Sequence, residues 1–204
     1  MSNYVFFDVE TTGLDHTADQ VIEIAAVKTN DKLRAVSSFH ETIRLESGRE
    51  LSPFITEITG LDAESLANSP AERDTLEKFA EFVSDDSIIV AHNAPFDISF
   101  TFGRLNKKNP PFICTRAMAF LANPFESASL AAACTRYNIS TSGHHHALND
   151  AIMCLYLFEA LRKEVCNYLN TVIGFDDRPI NYVPDHARIL SSDIYREQFE
   201  RKAM

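Results

Sequence analysis

The chain has 204 residues and a mass of 22.9 kDa, and 45% of its residues are hydrophobic and 24% charged. This size and balance predict one large globular domain or a domain with a short extension. The net charge of −10 argues against a protein that coats long nucleic-acid duplexes, because such affinity comes from Lys and Arg side chains that displace condensed counterions. A protein that grips only a strand terminus needs few phosphate contacts, so that class of partner stays open.

The sequence shows no sign of export or of membrane insertion. No apolar stretch approaches the roughly 20 residues of a membrane span, and no basic flank precedes an apolar signal core. The four cysteines have no CxxC spacing, and we expect them to be reduced, buried thiols. We therefore expect a soluble cytoplasmic protein with no membrane partner.

The first predicted element is a strand that carries two acids. The apolar run Tyr4–Phe7 leads through Asp8 and Glu10 to the turn residue Gly13. Residues two apart on a strand point to the same face, so the two carboxylates are close together. Like charges at such distances cost free energy unless they share a proton or a cation neutralises them. The pair alone is also typical of a solvated strand end, so a metal site requires further ligands.

Three elements follow in the first half of the chain. Residues 21–27 and 38–43 read as strands around a turn near Asn30, and with the first strand they predict an antiparallel meander. Residues 51–70 are rich in turn formers. The apolar spacing over residues 71–83 predicts an amphipathic helix.

The middle of the chain contains a second acidic position. Residues 87–91 form a short continuous apolar run, which is typical of a strand buried on both faces. A helix is predicted from Pro95 to about residue 106, and Asp97 lies at its start. Ligand sites of open α/β sheets gather after such strands, although an acid at a helix start is also favoured by the helix dipole.

The remaining elements complete an α/β pattern. A strand is predicted over residues 111–114, helices near 116–121 and 127–137, and a long amphipathic helix from Ala147. A meander that feeds strand–helix units predicts one mixed sheet with helices packed on it.

The sequence divides into a domain and a tail. We assign residues 1–169 to the domain and residues 170–204 to a C-terminal extension of unassigned role. Gly174, Pro179 and Pro184 interrupt regular structure there, and only residues 191–202 are predicted to be helical.

A run of three histidines precedes the fourth candidate acid. His145 and Asp150 are five positions apart, about 140° around an ideal helix, so they do not share one helical face. We therefore place Asp150 on the helix and His145 in the loop before it, where a base can reach a catalytic water. The run is also typical of a solvated loop or a zinc-binding patch, and composition alone does not select one histidine.

Three motifs stand in order along the chain: Asp8-x-Glu10-Thr11-Thr12-Gly13-Leu14, His92-Asn93-Ala94-x-Phe96-Asp97 and His145-x-Ala147-Leu148-x-Asp150. Over residues 4–165 the sequence resembles the DEDD superfamily of 3′-to-5′ exonucleases, in the subgroup whose last motif carries histidine. The resemblance implies a ribonuclease H-like α/β fold with a mixed five-stranded sheet flanked by helices.

The resemblance also assigns roles by matching position. It implies two Mg²⁺ or Mn²⁺ ions held by four carboxylates, with His145 as general base. The metal-binding carboxylates would be Asp8, Glu10, Asp97 and Asp150, which together with His145 form the catalytic set. Substrate-binding residues would be Thr11, Gly13, Leu14, Asn93 and Phe96. In one respect the chain departs from the family, since His146 stands where an arginine often follows the catalytic histidine.

The implied activity is release of nucleoside 5′-monophosphates from the 3′ end of single-stranded or frayed DNA. An RNA-trimming 3′-to-5′ exoribonuclease is the alternative, because no motif reports on the 2′-hydroxyl. A non-catalytic nucleic-acid-binding module is disfavoured because the acid set is complete. The chain has two glutamines, Gln20 and Gln198. Neither lies in an exposed linker of the kind that a sliding clamp binds, so we expect a stand-alone enzyme.

Overall fold

The structure, a computed structural model, describes residues 3–84, 86–175 and 180–203, without the side chains of the last two. Its first three strands are β1 (Asn3–Thr11), β2 (Val21–Thr29) and β3 (Ala35–Thr42). Both β1 with β2 and β2 with β3 pair antiparallel. The predicted meander is therefore confirmed.

Two parallel strands extend the sheet on the other side of β1. Strand β4 (Ser87–Ala91) pairs with β1, and β5 (Phe112–Cys114) pairs with β4. The order is β3-β2-β1-β4-β5, so β1 is central. This mixed five-stranded sheet with flanking helices confirms the predicted fold class.

Helices cover both faces of β1. Phe7 packs on Phe79 of α3 (Glu72–Val83) with ring centroids 5.2 Å apart, and Phe6 packs on Phe158 of α7 (Ala147–Leu161) at 5.7 Å. All four rings are at most 1% exposed. Burying such a side chain contributes roughly 1.5–3 kcal/mol, so β1 is firmly held and the acids on its carboxyl half have fixed positions.

Residues 51–70 contain two short helices where the sequence predicted only turns. They are α1 (Pro53–Thr59) and α2 (Ala63–Leu66). The Ser52 hydroxyl accepts from the backbone N–H of Ile55 at 3.2 Å, and Gly60, with φ of 72°, ends α1 in the left-handed region. A Ser-Pro start and a glycine stop are ordinary helix signals, and the prediction passed over them.

The helices after β4 and β5 agree with prediction in type. Helix α4 (Ala94–Ile98) continues as a π-helical turn over Ser99–Gly103, close to the predicted end near residue 106. Helices α5 (Thr115–Ala122) and α6 (Leu130–Arg136) fill the two segments predicted to be helical. Together they lead the chain back to α7.

The C-terminal extension has more regular structure than predicted. Besides the expected helix, α8 (Ser192–Ala203), it contains β6 (Thr171–Gly174) and β7 (Arg188–Ser191), which pair in parallel. Val172 and Ile173 are 4% and 5% exposed and belong to the main core. We call β6, β7 and α8, with the described residues between the two strands, the C-terminal unit. It packs on the sheet domain, and the boundary near residue 169 stays a prediction.

Two smaller predictions concern the cysteines and the membrane. Cys114, Cys134 and Cys154 are buried as expected, whereas Cys166 is exposed, which corrects the prediction for that residue. Within the described ranges, no helix combines the length and apolar character needed to cross a bilayer.

Candidate active site

Carboxylates from three elements meet at the carboxyl half of β1. Asp8 and Glu10 lie on β1, Asp97 in the first turn of α4, and Asp150 in the first turn of α7. Carboxylate oxygens of Asp8, Glu10 and Asp150 all lie within 4.8 Å of one another. The structure thus brings together residues that are up to 142 positions apart in the sequence.

Burial and mutual repulsion favour protonated carboxyls in this cluster. Burial raises the pKa of Asp8 well above its ordinary value, and the charges of Asp97 and Asp150 raise it further. The pKa of Glu10 is raised to about 8, mainly by burial and further by the charges of Asp150 and Glu23. Burial also raises the pKa of Asp97 well above its ordinary value. A cation that displaced these protons would neutralise the repulsion between the carboxylates.

Asp97 offers the clearest sign that the cluster suits a cation. The residue is 1% exposed, and its Oδ2 has no hydrogen-bond partner among the described residues. A buried acceptor without a partner costs about 1–3 kcal/mol. A set of carboxylate oxygens with one unsatisfied member fits hard divalent cations such as Mg²⁺ or Mn²⁺, which prefer oxygen ligands.

The histidine run borders Asp150 from the loop before α7. His144 Nδ1 lies 2.8 Å from both carboxylate oxygens of Asp150, and the rings of His144 and His145 stack with centroids 4.0 Å apart. The backbone N–H of His145 donates to Asp150 Oδ2 at 3.4 Å. Burial and the neighbouring histidines lower the pKa of His145. The sequence assigned a role to His145 only, and the contact of His144 was not anticipated.

Nitrogens of these two histidines and an oxygen of Asp150 are also close enough to share one metal ion. The zinc-patch interpretation of the histidine run therefore stays open beside the general-base interpretation.

Glu23 is a further acid at the site, and the sequence analysis missed it. It lies on β2 opposite Glu10 and is 5% exposed. Its Oε2 accepts from the backbone N–H of Ala147 at 3.0 Å, and its Oε1 lies 2.7 Å from His40 Nε2. Because Ala147 is the first residue of α7, Glu23 fixes the start of the helix that carries Asp150. A single acid inside the apolar run of residues 21–27 was the available signal.

Three of the predicted substrate-binding residues line one cavity beside the acids. Leu14, Asn93 and Phe96 all border a cavity of about 360 Å³. Leu14 is 81% exposed, so its side chain is accessible to a ligand in that cavity. Asn93 precedes α4 with φ of 88°, and its Oδ1 accepts from Arg116 Nη1 at 3.3 Å. Phe96 packs on Phe100 with ring centroids 4.8 Å apart.

Thr11 and Gly13 do not border that cavity but shape the turn before Leu14. The Thr11 hydroxyl donates to the Gly13 carbonyl at 2.6 Å. A Cβ at Gly13 would collide with the carboxylate of Asp19, so a larger residue there would require that side chain to move. We therefore assign these two residues to the presentation of Leu14.

A second cavity, of about 640 Å³, opens directly over the acids. Asp8, Asp150, His144 and His92 contribute to its lining. Burial lowers the pKa of His92 to about 3, so this imidazole is neutral at physiological pH. Its Nε2 lies 3.0 Å from the Ala128 carbonyl, which can only accept, so Nε2 carries the proton. His92 therefore supports the cavity wall.

The fold and the acidic cleft define a nuclease of the ribonuclease H-like class. The sequence model of the exonuclease family, named RNase_T, matches residues 5–158. The chain belongs to this exonuclease family, which confirms the resemblance drawn from the three motifs.

Curated relatives extend the similarity towards the C-terminus. The DNA polymerase III PolC-type protein of Bacillus subtilis (strain 168) is 33% identical over 207 residues, which cover 92% of this chain and 14% of the relative. The alignment therefore reaches into residues 170–204. The chain thus spans only about 14% of the length of these PolC-type relatives.

Solved structures share the fold. Exonuclease X in complex with 5′ overhanging duplex DNA is 25% identical with a TM-score of 0.64, and the match covers 80% of this chain and 92% of that one. Exonuclease I of E. coli in complex with a dT13 oligonucleotide has a TM-score of 0.69 at 18% identity, covering 79% of this chain and 41% of that one. At that identity the second match supports the fold alone.

Proposed function

We propose that this protein is a metal-dependent 3′-to-5′ exonuclease that releases nucleoside 5′-monophosphates from single-stranded or frayed DNA. The observation that carries the proposal is the cluster of Asp8, Glu10 and Asp150. One carboxylate oxygen from each residue lies within 4.8 Å of the other two. Family membership supports the reaction class, and the exonuclease X structure, at 25% identity, contains DNA.

Four carboxylates would hold the ions, which we propose to be two Mg²⁺ or Mn²⁺. When bound, such ions activate an attacking water and stabilise the leaving 3′ oxygen of a phosphodiester. The carboxylates involved are Asp8, Glu10, Asp97 and Asp150. The raised pKa values of the first three and the unsatisfied Oδ2 of Asp97 support this assignment.

His145 is the proposed general base. A neutral imidazole can take a proton from the attacking water, and the lowered pKa keeps His145 neutral at physiological pH. Its place in the loop before α7 lets the ring approach the cluster from the side of Asp150. His144, which contacts the Asp150 carboxylate, would instead orient that side chain.

Selection of a strand end requires a site for the last nucleoside. We propose that the terminal base enters the 360 Å³ cavity between Leu14 and Phe96. Apolar side chains that contact a base stabilise binding with little dependence on its identity. The exposed Leu14 would then limit how far the strand can enter.

The polarity and the substrate are tested together. Purified protein is incubated with Mg²⁺ and single-stranded DNA or RNA oligomers of one sequence, labelled at either end. We expect 5′-labelled DNA to shorten stepwise from its 3′ end, and 3′-labelled DNA to release a labelled mononucleotide at once. Faster degradation of RNA would favour the exoribonuclease alternative, and binding of the oligomers without cleavage would favour a non-catalytic module.

The similarity to PolC-type polymerases favours a second candidate role for the same activity, as proofreading for a replicative polymerase. The 33% identity over 92% of the chain is the supporting observation. Co-purification of the protein with a polymerase would support this role over that of the stand-alone enzyme predicted from the sequence.

A further inference from the structure

The C-terminal unit borders both cavities of the candidate active site. Phe175 and residues of α8 line the 640 Å³ cavity over the acids. Phe175 and Tyr182, with the aliphatic side chains of neighbouring residues, line the 360 Å³ cavity that Leu14 also borders. The segment to which the sequence gave no role therefore closes the site from one side.

We propose that the C-terminal unit is a substrate-binding wall, in which Phe175 and Tyr182 contact the base of the 3′-terminal nucleotide opposite Leu14 and Phe96. This inference rests on the proposed function, because it requires a nucleic-acid 3′ end in the cleft. It adds two residues that would select the substrate and that lie outside the three sequence motifs.

The wall is fixed to the sheet domain by hydrogen bonds at separate points. Asn170 and Phe112 exchange two bonds of 2.8 Å each, one from each backbone N–H. The Tyr195 hydroxyl donates to the Leu121 carbonyl at 3.1 Å. Arg196 Nε donates to the Pro124 carbonyl at 2.9 Å. A wall held in this way presents its side chains at a constant distance from the acids.

Phe175 stands where the two cavities meet. Its ring packs edge-on against Phe120 with centroids 5.4 Å apart, and the guanidinium carbon of Arg116 lies 4.8 Å from its centroid. Arg116 and Asn93 border both cavities as well. An aromatic ring beside a guanidinium suits a nucleotide, because the base can stack while the phosphate is close to a positive charge.

Tyr182 is seated against the sheet domain although it belongs to the C-terminal segment. Its ring lies edge-on to His16 with centroids 5.6 Å apart. A Cβ at Gly103 would lie 3.0 Å from that ring, so the absence of a side chain at Gly103 makes room for it. The ring is thus held in place while it borders the cavity.

Leu14, Phe96, Phe175 and Tyr182 all border the 360 Å³ terminal-base cavity. An unpaired base could enter it, whereas a paired base would have to separate from its partner first. The wall would therefore favour single-stranded or frayed ends.

The test compares Phe175→Ala, Phe175→Leu and Tyr182→Ala with the unchanged protein. A 5′-fluorescein single-stranded DNA oligomer is titrated by anisotropy with Ca²⁺ in place of Mg²⁺, and recovery of intact oligomer is verified. KM and kcat are then measured with Mg²⁺. Tyr156→Ala is the matched control, since Tyr156 lies on α7 outside the C-terminal unit, is 53% exposed and borders neither cavity.

We expect each cleft variant to weaken binding and raise KM by about tenfold, the loss of one base–aromatic contact, with kcat nearly unchanged. Phe175→Trp should restore binding to within about twofold. Phe175→Leu keeps an apolar side chain in the wall, so its loss of affinity should occur without a change in melting temperature. Tyr156→Ala should bind like the unchanged protein.

Equal affinity of the cleft variants and the unchanged protein would overturn the inference, as would an equal loss in Tyr156→Ala. Failure of the unchanged protein to bind the oligomer would also overturn it. Phe175-dependent binding without any mononucleotide release would contradict the proposed function and leave the wall intact. If the unchanged protein has nuclease activity but Phe175→Ala binds the oligomer equally well, the proposed wall is contradicted and the proposed function is not.

Discussion

His144 Nδ1 lies 2.8 Å from both carboxylate oxygens of Asp150. The ring of His144 therefore lies next to Asp150, and His145 stacks on it with centroids 4.0 Å apart. Since Asp150 is a proposed metal ligand, His144 is placed to orient that carboxylate. The two histidines would then differ in role, one orienting a carboxylate and the other accepting a proton.

Substitution of the histidines one at a time tests this division of roles. We expect His145→Ala to lower kcat by about 10²- to 10⁴-fold, the usual contribution of a general base, with little change in KM. His144→Ala and His146→Ala should each cost less than about tenfold, since neither removes the base. Steady-state kinetics on a single-stranded oligomer at pH 7.5 distinguish the variants. Equal losses in all three, or the largest loss in His144→Ala, would contradict the assignment.

The raised pKa of Glu10 predicts how stability depends on pH without metal. Its pKa is raised from an ordinary 4.5 to about 8, so folded protein keeps a proton that unfolded protein releases within this window. The contribution of the Glu10 carboxyl to the free energy of unfolding is therefore complete below about pH 4.5 and is lost as pH rises through 8. In EDTA, we expect a lower melting temperature at pH 8 than at pH 6, and Mg²⁺ should raise it more at pH 8.

Glu10→Gln is the control for that measurement, because an amide cannot titrate. In EDTA its melting temperature should fall less between pH 6 and pH 8 than that of the unchanged protein. Each kcal/mol corresponds to about 2–4 °C for a protein of this size, so the difference is measurable by calorimetry. A melting temperature in EDTA that rises between pH 6 and pH 8 would be inconsistent with buried protonated carboxyls.

The bond between Glu23 and the Ala147 N–H predicts a graded effect of substitution. Glu23→Ala leaves a buried N–H at the start of α7 without an acceptor, and we expect a loss of about 1–3 kcal/mol in the free energy of unfolding. Glu23→Gln retains an acceptor for that N–H and should lose less. Urea denaturation measures both, with Glu81→Ala at an exposed position of α3 as control. Identical losses in the two Glu23 variants would contradict the anchoring role.

Leu14 should affect substrate binding and not stability. The side chain is 81% exposed, so Leu14→Ala removes little buried surface and the melting temperature should not change. We expect KM for a single-stranded oligomer to rise about five- to tenfold if one apolar contact with the base is lost. Val36→Ala, at a 59% exposed site on β3, is the matched control. An unchanged KM would contradict a role for Leu14 in binding the terminal base.

The sequence predicted those features that depend on local pattern. The alternation and turn around Asp8, Glu10 and Gly13 are readable within a dozen residues, and the structure places that strand at the centre of the sheet. The partner of Glu23 is 124 positions away, so no local pattern could reveal it. Three consecutive histidines are chemically identical in the sequence, and only the backbone, with φ of 69° at His145, distinguishes their directions.

The C-terminal unit escaped prediction for a related reason. Strands β6 and β7 have four residues each, so neither shows a clear local pattern, and they pair in parallel although 13 residues separate them. Phe175 acquires its place in the cleft from Phe120 and Arg116, which lie more than 50 positions earlier. Such a surface is a product of tertiary packing.

The most direct measurement of the central claim is product release from a single-stranded DNA oligomer in Mg²⁺ and in EDTA, with Asp8→Asn and Asp150→Asn alongside. Products are identified by chromatography as nucleoside 5′- or 3′-monophosphates. The account predicts 5′-monophosphates released from the 3′ end, only with the divalent cation, and a loss of at least about a thousandfold in either variant, since each removes a proposed metal ligand. Undiminished release in EDTA, or full activity in Asp150→Asn, would contradict it.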